Sequence, residues 1–337
     1  MYFVTSKTDR ESLELAKNVA GRLKDAGIKF AAGREILPLQ NKKGLDVTDC
    51  EMVIAIGDDG FILRTFRKLG NHQVPLFPIA SSQSFLAHTD TLSFKYYLDL
   101  VKKGKYEIFK RSRLVARFKN AATPIALNDI GLFSYKSASL LGYSLILNHE
   151  TFRRDFSDGL VVATPTGSTG YSLSAGGPII LEEPNILALT PISSMEKHSS
   201  VIVSDSTKIR VADIEGYKPI LIVDGEVRIP LNAKEVVIEK SAYGANFIIF
   251  SKEHQLESKL RKRTMNVSIE SLRNLPASAK LAYKILAHEG RMTQKELINS
   301  SMLPKRTIRY ALKILLEKRL INAQPHFTDA RQTIYGV

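Results

Sequence analysis

Two aspartates stand between two glycines directly after an apolar run in this chain, at Gly57, Asp58, Asp59 and Gly60. The run before them, CEMVIAIG, has the length and the continuous apolarity of a parallel strand that is covered on both faces. Open α/β sheets bind ligands at the carboxyl ends of such strands, and glycine lets backbone N–H groups approach phosphate oxygens. Asp59 would then take a proton from a hydroxyl nucleophile or hold a metal ion on a nucleotide, although a simple polar turn is the alternative.

A second stretch suited to ligand chemistry is SDGLVVATPTGSTGYSLSAGGPI, residues 157–179, which holds five glycines and seven Ser or Thr residues. Its hydroxyls and exposed amides suit the phosphates and ribose of a nucleotide. The apolar segments LVVA and PIIL at its two ends favour an anchored segment over a flexible serine-glycine loop. Neither a GxxxxGKS/T pattern nor a GxGxxG pattern occurs, so the sequence predicts neither a P-loop nor a Rossmann dinucleotide site.

The elements that must position these residues change type along the chain. MYFVT is typical of a strand, and SLELAKNVAGRLKDAG predicts a helix with Leu13, Ala16, Val19 and Leu23 on one face. FILRTFRKL predicts a helix after the aspartates and VPLFPIA a further buried strand, so residues 1–105 are expected to form an α/β domain. Residues 106–265 hold many short strand-like runs and a hairpin turn at Asp224-Gly225, and they predict a β-rich domain.

Residues 266–337 are predicted to form a small third domain after a charged helix or linker at 251–263. PASAKLAYKILAHEG is typical of a helix, TQKE is a capping box, and Pro304 suits the first position of the helix KRTIRYALKILLEKRL. LINAQ and QTIYGV are expected to pair as a hairpin. A helix, a helix-turn-helix and a hairpin together resemble the winged-helix family, in which the second helix of the pair enters the DNA major groove.

Charge is spread unevenly along the chain, whose formal net charge is +14. Residues 266–337 hold 12 Lys or Arg and 5 Asp or Glu, a net of +7, so 72 residues carry half of the total. Lys305, Arg306 and Arg309 lie at the front of the predicted second helix, and Arg331 in the hairpin is expected to touch phosphate. DNA is therefore the expected partner of this region. Protein contact or dimerisation through the same face is the open alternative.

The composition excludes several classes of protein. Hydrophobic residues make up 44% of the chain, enough for a sizeable core in two or three domains. No run of 18 apolar residues exists and MYFVTSKTDR lacks a signal-peptide layout, so a soluble cytoplasmic protein is expected. Cys50 is the only cysteine, which excludes an internal disulfide, and the seven histidines form no HExxH pattern, so no structural metal is expected.

The order of three motifs resembles the NAD kinase family. A strand ends in a G-x-D-G turn, an Asn-acid pair follows in ALNDIGL, and then comes DGLVVATPTGSTGYSLSAGGPI. The resemblance spans residues 1–265, and the glycine-serine stretch is its most specific part, because diacylglycerol kinases, sphingosine kinases and phosphofructokinases share the first turn. It implies an α/β domain and a β-rich domain with the active site between them, in a homodimer or homotetramer. It also implies transfer of the terminal phosphate of ATP, with Mg²⁺ or another divalent cation, to the adenosine 2′-hydroxyl of NAD.

The resemblance assigns roles to individual positions of the first motif. Asp59 matches the general base that takes the proton from the 2′-hydroxyl of NAD. Gly60 would lie against NAD, and Arg64, one turn into the following helix, would offset phosphate charge.

Further matches concern the NAD pocket. Asn128 and Asp129 match a pair that holds ribose hydroxyls, and Asp158 matches an acid that accepts from the base or the carboxamide. Glu226 occupies a place where the family often has glutamine. The expected lining of the pocket comprises Thr169, Gly170, Tyr171, Ser172, Leu173 and Ser174.

Several positions depart from the family pattern. Asp58 stands where the family has a second glycine, Phe61 replaces its usual threonine, and PIASSQSFLA at 78–87 lacks the glycines of the corresponding family segment. Phe156 stands where the family often has an arginine. Most of these changes bear on binding of the phosphate donor, for which polyphosphate stays open beside ATP.

Two functions from different classes follow from these observations. The first is an NAD kinase with an appended DNA-binding domain. The alternative is a DNA-binding transcriptional regulator that senses NAD(H) or NADP and has a decayed kinase core, which Asp58, Phe61 and the glycine-poor segment favour. A lipid kinase is disfavoured because residues 157–179 do not have a lipid-kinase pattern.

Overall fold

The computed structural model of the protein describes residues 1–33, 36, 50–82, 84–87, 89–136, 139–181, 185–250, 275–290, 292–318, 320–325 and 333–336. The chain divides into two compact units, Met1–Lys252 and Glu253–Val337. The predicted linker at 251–263 and Arg331 lie outside the described residues. None of the described helices is long and apolar enough to cross a membrane.

The first unit begins with strands and helices in alternation, as the sequence predicts. The elements are β1 (Tyr2–Ser6), α1 (Arg10–Asp25), β2 (Phe30–Ala32), β3 (Met52–Gly57), α2 (Asp59–Leu69), β4 (Leu76–Ala80), β5 (Thr89–Asp90), α3 (Phe94–Lys102) and β6 (Glu107–Arg111). Strands β2, β1, β3 and β4 pair in parallel in that order. All six residues of β3 are buried, which is why this strand is continuously apolar.

Two capped helices flank this sheet. The Asp9 side chain accepts a hydrogen bond from the Ser12 amide and begins α1, and Gly27 follows its end with a positive φ of 68°. The Asp58 side chain accepts from the Phe61 amide at 2.8 Å and begins α2 in the same way. Both helices bury an apolar face against the sheet, which confirms the two helices predicted from sequence.

The middle of the chain is almost entirely β-structure, which confirms the predicted β-rich region. Its elements are β7 (Leu114–Phe118), β8 (Ala121–Ala122), β9 (Asp129–Ser134), β10 (Leu141–Leu147), β11 (Glu150–Ser157), β12 (Gly159–Ala163), α4 (Tyr171–Ser174), β13 (Ile186–Ile192), β14 (Val201–Ser204), β15 (Ile209–Glu215), β16 (Pro219–Val223), β17 (Val227–Pro230), β18 (Val236–Lys240) and β19 (Ala245–Ile249). Two antiparallel sheets form, with orders β11-β10-β15-β18-β7-β8 and β14-β13-β12-β9-β16-β17. One apolar cluster draws on both sheets and includes the fully buried Leu114, Tyr143, Leu160 and Leu221.

Two strands that follow residue 105, the predicted end of the α/β domain, complete the first sheet. Strand β19 pairs with β4 in parallel and with β6 antiparallel, so the sheet runs β2-β1-β3-β4-β19-β6. Residues on both sides of position 105 therefore build one sheet. The boundaries 1–105, 106–265 and 266–337 stay predictions.

The second unit contains three helices and a small sheet within its described residues. The elements are α5 (Ala277–Glu289), β20 (Met292–Thr293), α6 (Gln294–Ser301), α7 (Lys305–Glu317), β21 (Asn322–Pro325) and β22 (Thr333–Gly336), with β20, β22 and β21 paired antiparallel. Thr293 and Glu296 form the predicted capping box at the start of α6. Pro304 stands one residue before α7 rather than at its first position. Ala279, Leu297, Ile308 and Leu315 meet in a separate core.

Candidate active site

Asp59 lies at the carboxyl end of β3, as the first residue of α2. Its Oδ1 atom accepts hydrogen bonds from the Ser84 hydroxyl and from the amides of Phe85 and Leu86, the last two at 3.1 Å. Its Oδ2 atom accepts only from the Phe85 amide, at 2.9 Å, among the described residues. The glycine-poor segment 78–87 therefore supplies the donors that hold this carboxylate, a role that the sequence did not reveal.

The direction of the Ser84 hydroxyl follows from its other contacts. Ser84 Oγ accepts from the amides of Leu86 at 3.2 Å and Ala87 at 2.9 Å, so its proton is left for Asp59 Oδ1. Ser84 is buried at 2% exposure. Three donors approach Oδ1 and one of them, the Phe85 N–H, is shared with Oδ2, so Oδ2 has the greater capacity to take a proton from a reacting hydroxyl.

Asp58 has a different set of partners from Asp59 and forms an ion pair with a residue that sequence reasoning missed. Its Oδ2 atom lies 2.6 Å from Lys7 Nζ, at the end of β1, while Oδ1 caps α2. Burial alone would raise the pKa of Asp58, but Lys7, the Phe61 amide and Arg64 together hold it below its ordinary value. The negative charge of Asp58, which was one argument for a decayed kinase core, is thus paired with Lys7. Among the described residues, an ideal Cβ on Gly60 would meet Asp58 Oδ1 at 3.5 Å, which is ordinary van der Waals contact.

Two arginines of α2 reach the turn between β16 and β17. Arg64 Nη1 lies 3.1 Å from Glu226 Oε1, and Arg67 contacts Glu226 through Nη2. Arg67 Nη1 also lies 2.7 Å from Asp224 Oδ2. The Arg67 side chain is 7% exposed and that of Asp224 is fully buried, whereas Arg64 and Glu226 are half-exposed. The sequence predicted only a turn at Asp224, whose φ is 49°, and not this ion pair.

Asp224 also determines where Asn128 lies. Its Oδ1 atom accepts hydrogen bonds from the amides of Leu127 at 3.0 Å and Asn128 at 2.8 Å. Burial raises the pKa of Asp224, and the Asn128 amide and Arg67 act in the opposite direction. One carboxylate therefore joins α2, which begins with Asp59, to the backbone of the Asn128-Asp129 pair.

Asn128 and Asp129 lie beside the glycine-serine stretch. An ideal Cβ on Gly170 would lie 3.9 Å from both Asn128 Nδ2 and Asp129 Oδ2, and one on Gly167 would lie 2.0 Å from the Asn128 carbonyl oxygen. Only glycine fits at position 167, which brings the two motifs into contact. The buried Asn128 Oδ1 atom has no hydrogen-bond partner among the described residues. Burial, together with the charge of Asp224, raises the pKa of Asp129 to about 7.

The predicted pocket lining divides into exposed and buried side chains. Tyr171 is 49% exposed and contacts the Phe133 ring edge-on, with ring centroids 5.8 Å apart. Leu173 and Ser174 are exposed, and Thr169 is partly buried. Ser172 is fully buried and its hydroxyl lies 3.0 Å from Thr190 Oγ1, so its side chain supports the loop from inside and cannot line a pocket.

Asp158 lies at the opposite end of one strand from the Asn128-Asp129 pair. It immediately precedes β12, whose last residue, Ala163, pairs with Asp129. Five strand residues separate the two ends, which corresponds to about 17 Å. Asp158 is exposed, and its predicted role in the pocket stays a prediction.

The proteins that this chain resembles are NAD kinases. A model of the ATP-NAD kinase C-terminal domain matches residues 127–250. An NAD kinase of Methanothermobacter thermautotrophicus is 30% identical over 272 residues, which are 78% of this chain and 95% of the relative. This chain belongs to the NAD kinase family. The family is one of phosphotransferases, so the catalytic prediction is confirmed at that level.

Other members of the family resemble the chain to a similar degree. An NAD kinase of Clostridium botulinum is 30% identical over 259 residues, 73% of this chain and 90% of the relative. The crystal structure of an NAD kinase from Archaeoglobus fulgidus in complex with ATP covers 77% of this chain and 98% of its own, with 28% identity and a TM-score of 0.65. Yeast NADH kinase complexed with NADH has the same fold, with 22% identity, a TM-score of 0.70 and coverage of 79% and 88%. The predicted NAD kinase-like fold is thereby confirmed.

A metal ion was expected only with the phosphate donor. In the part of the chain that the structure describes, no group of three or more His, Cys, Asp or Glu side chains is placed to hold one.

Proposed function

We propose that this protein transfers the terminal phosphate of ATP to the 2′-hydroxyl of the adenosine ribose of NAD, giving NADP and ADP. The observation that carries this proposal is the double contact of Asp224, which binds Arg67 of the Asp59 helix and the amide of Asn128. This contact connects the helix of Asp59, whose carboxylate is suited to accept a proton, to Asn128, whose side-chain amide is suited to bind a hydroxyl.

The reaction needs positioning more than covalent help. In the transfer, a bond forms between the 2′-oxygen and the terminal phosphorus while the bond to the bridging oxygen of ADP breaks. The hydroxyl proton passes to Asp59 Oδ2, because Oδ1 is already occupied by three donors. A divalent cation, Mg²⁺ or another, would arrive bound to the ATP phosphates as part of the donor substrate.

The ribose would be bound by the Asn128-Asp129 pair. The unpartnered Asn128 Oδ1 atom suits a hydroxyl donor, since a buried acceptor without a partner is costly. Asp129, with a pKa of about 7, is able to donate or accept a hydrogen bond near neutral pH. Tyr171, which follows Gly170 in the chain and contacts Phe133, offers an exposed aromatic face that suits a flat base.

The test is the formation of NADP by purified full-length protein from NAD and ATP, and separately from NAD and polyphosphate. NADP formation with either donor supports the kinase. Absence of product with both donors, while NAD still binds, would support a sensor with a decayed kinase core. The family membership does not favour that sensor, and the ion pair of Asp58 with Lys7 removes one argument for it.

We further propose that residues 266–337 form a winged-helix domain that binds duplex DNA through α7. Helix α6 is followed by Met302, Leu303 and Pro304 and then by α7. Helix α7 buries Ile308, Leu312 and Leu315 on one face. The opposite, exposed face carries Lys305, Arg306, Arg309, Tyr310 and Lys313. A cationic face at the front of such a helix suits phosphate and base contacts in the major groove.

A mobility-shift titration of the full chain on duplex DNA at two salt concentrations tests the second proposal. Each phosphate that the protein neutralises is expected to contribute about −0.9 to the slope of log affinity against log salt. Arg331, predicted to assist, lies outside the described residues. A sizing column run beside the titration tests the implied homodimer or homotetramer and the alternative that this face assembles subunits.

A further inference from the structure

Two half-exposed cations, one bound to the N-cap residue of α2 and the other on α2 itself, are each held by a carboxylate. Lys7 Nζ contacts Asp58 Oδ2 at 2.6 Å, and Arg64 Nη1 contacts Glu226 Oε1 at 3.1 Å. The four side chains are 38%, 35%, 41% and 44% exposed in that order, so a ligand is able to reach all of them. Exposed ion pairs of this kind are weak and exchange readily.

The two pairs meet at the first turns of α2, since Asp58 caps this helix through the Phe61 amide and Arg64 lies on it six residues after Asp58. Hydrogen bonding to Asp58 raises the pKa of Lys7, and the nearby charge of Arg64 acts in the opposite direction. Asp58 in turn is influenced by both cations. Asp9 adds a third carboxylate, 3.7 Å from Lys7 Nζ. An anion placed between Lys7 and Arg64 would therefore meet both cations and would have to displace the carboxylates that hold them.

The residues that hold the two pairs in place are separate from those that would move. Arg67 keeps its buried partner Asp224 when Glu226 moves away, so the turn that carries Glu226 stays attached to α2. Asp58 Oδ1 caps α2 through the Phe61 amide, while only Oδ2 contacts Lys7. Exchange of either half-exposed pair therefore leaves the framework of the site intact.

We propose that Lys7 and Arg64 bind the phosphates of the donor, and that Asp58 and Glu226 act as internal competitors for these two cations. The proposal rests on the proposed kinase function for the identity of the ligand, a chain of phosphates such as that of ATP or polyphosphate. Phosphates carry more charge than a carboxylate, so they displace Asp58 and Glu226 from Lys7 and Arg64. The two acids lower the affinity for every phosphate anion and thereby favour donors that reach both cations at once.

The experiment measures binding without turnover. Inorganic tripolyphosphate and a non-hydrolysable ATP analogue are titrated calorimetrically into the full-length protein at two salt concentrations. Asp58→Asn keeps an acceptor for the Phe61 amide, and Glu226→Gln keeps a hydrogen-bonding side chain of the same length. Each is expected to bind tripolyphosphate about twofold to fivefold more tightly than the wild type, the range for one half-exposed ion pair. Lys7→Met and Arg64→Met are expected to weaken binding by a similar factor.

A matched control separates local competition from net charge. Glu51 forms an ion pair with the N-terminal amine at the opposite end of β3, so Glu51→Gln removes one negative charge far from the site. This variant is expected to bind tripolyphosphate as the wild type does. Equal tightening in Glu51→Gln, or weaker binding in Asp58→Asn and Glu226→Gln, would overturn the proposal. Inorganic monophosphate is expected to gain less than tripolyphosphate from the two substitutions, because it carries less charge and fewer oxygens.

Failure of the proposed function has a different signature. If tripolyphosphate binding depends on Lys7 but the protein forms no NADP, the phosphate subsite is supported and the kinase function is contradicted. If the protein forms NADP but none of the four substitutions changes donor binding, the kinase function is supported and the phosphate subsite is contradicted.

Discussion

Arg67 and Asp224 form a buried ion pair, with 2.7 Å between Nη1 and Oδ2, although 157 positions separate them in the chain. The pair joins the helix that begins with Asp59 to the turn that holds the Asn128 amide. This buried pair is therefore one of the contacts between distant segments that set the relative placement of the proposed base and the proposed ribose-binding pair, beside the hydrogen bonds of Arg113 to Phe66 and Ile125.

Loss of that contact is expected to destabilise the protein more than loss of its exposed neighbour. Arg67→Met leaves the buried Asp224 without its cation and is expected to lower the free energy of unfolding by about 3–5 kcal/mol. Arg64→Met is the matched control on the same helix, and its exposed ion pair is expected to contribute at most about 1 kcal/mol. Thermal or urea unfolding of the two variants measures the difference. Equal effects would mean that the buried pair does not hold the two segments together.

Asp59→Asn is expected to lower the rate of NADP formation far more than it weakens NAD binding. The variant keeps the shape of the side chain and its helix position but removes the oxygen that accepts the proton. A positioned general base contributes about 10²–10⁴-fold to turnover. Steady-state kinetics with NAD and ATP, together with NAD binding by calorimetry, measure the two effects. Near-normal turnover would leave Asp59 as a turn residue without a part in the chemistry.

Asn128→Ala is expected to weaken NAD binding by about 1–3 kcal/mol, because the hydroxyl that it binds is left without a partner. Asp158→Ala was predicted from sequence to do the same, yet Asp158 lies at the other end of β12 from Asn128 within the chain. Calorimetric titration of NAD into both variants distinguishes the two positions. Unchanged affinity in both would place the pocket elsewhere on the protein.

Asp129 is expected to make stability depend on pH in the acidic range. Its pKa of about 7 in the folded protein lies above the ordinary value of 3.8, so the folded state retains a proton that the unfolded state releases. Stability from this group is therefore fully present below about pH 4 and is lost as the pH rises towards 7, at roughly 1.4 kcal/mol per unit of pKa difference. Asp129→Asn should flatten this part of the curve when melting temperatures are compared between about pH 5 and about pH 8. Asp158→Asn, at an exposed acid, serves as the control and should keep the wild-type dependence.

The triple variant Lys305→Ala, Arg306→Ala and Arg309→Ala is expected to abolish most DNA binding by the full chain. All three side chains are exposed at the start of α7, so the helix should still fold against its core. NADP formation is expected to survive, because no proposed catalytic contact involves these residues. Undiminished DNA binding would contradict the assignment of α7 as the helix that contacts DNA. If the wild type does not bind DNA and the triple variant loses its oligomer on a sizing column, this face of α7 assembles subunits instead.

Local sequence was sufficient to predict most elements of this protein. The continuous apolar run before Gly57 predicted a buried parallel strand, the spacing of Ala16, Val19 and Leu23 predicted α1, and Asp224-Gly225 predicted a hairpin turn. These features depend on neighbours within a few residues, which is why they can be read from the sequence. The glycine-serine stretch also indicated the family by resemblance, and the structure explains one of its glycines, because the close contact of Gly167 with Asn128 admits no side chain.

Only the tertiary structure decided which partners the charged residues have. Sequence reasoning assigned Asp58 no partner, but β1 brings Lys7 to it across 51 positions. In the same way, Ser84 binds Asp59 and Arg67 binds Asp224, while β19 pairs into the first sheet. No local sequence pattern specifies these pairings. The energy of an ion pair or a ladder hydrogen bond depends on distance and burial in the folded chain, and sequence separation carries no information about either.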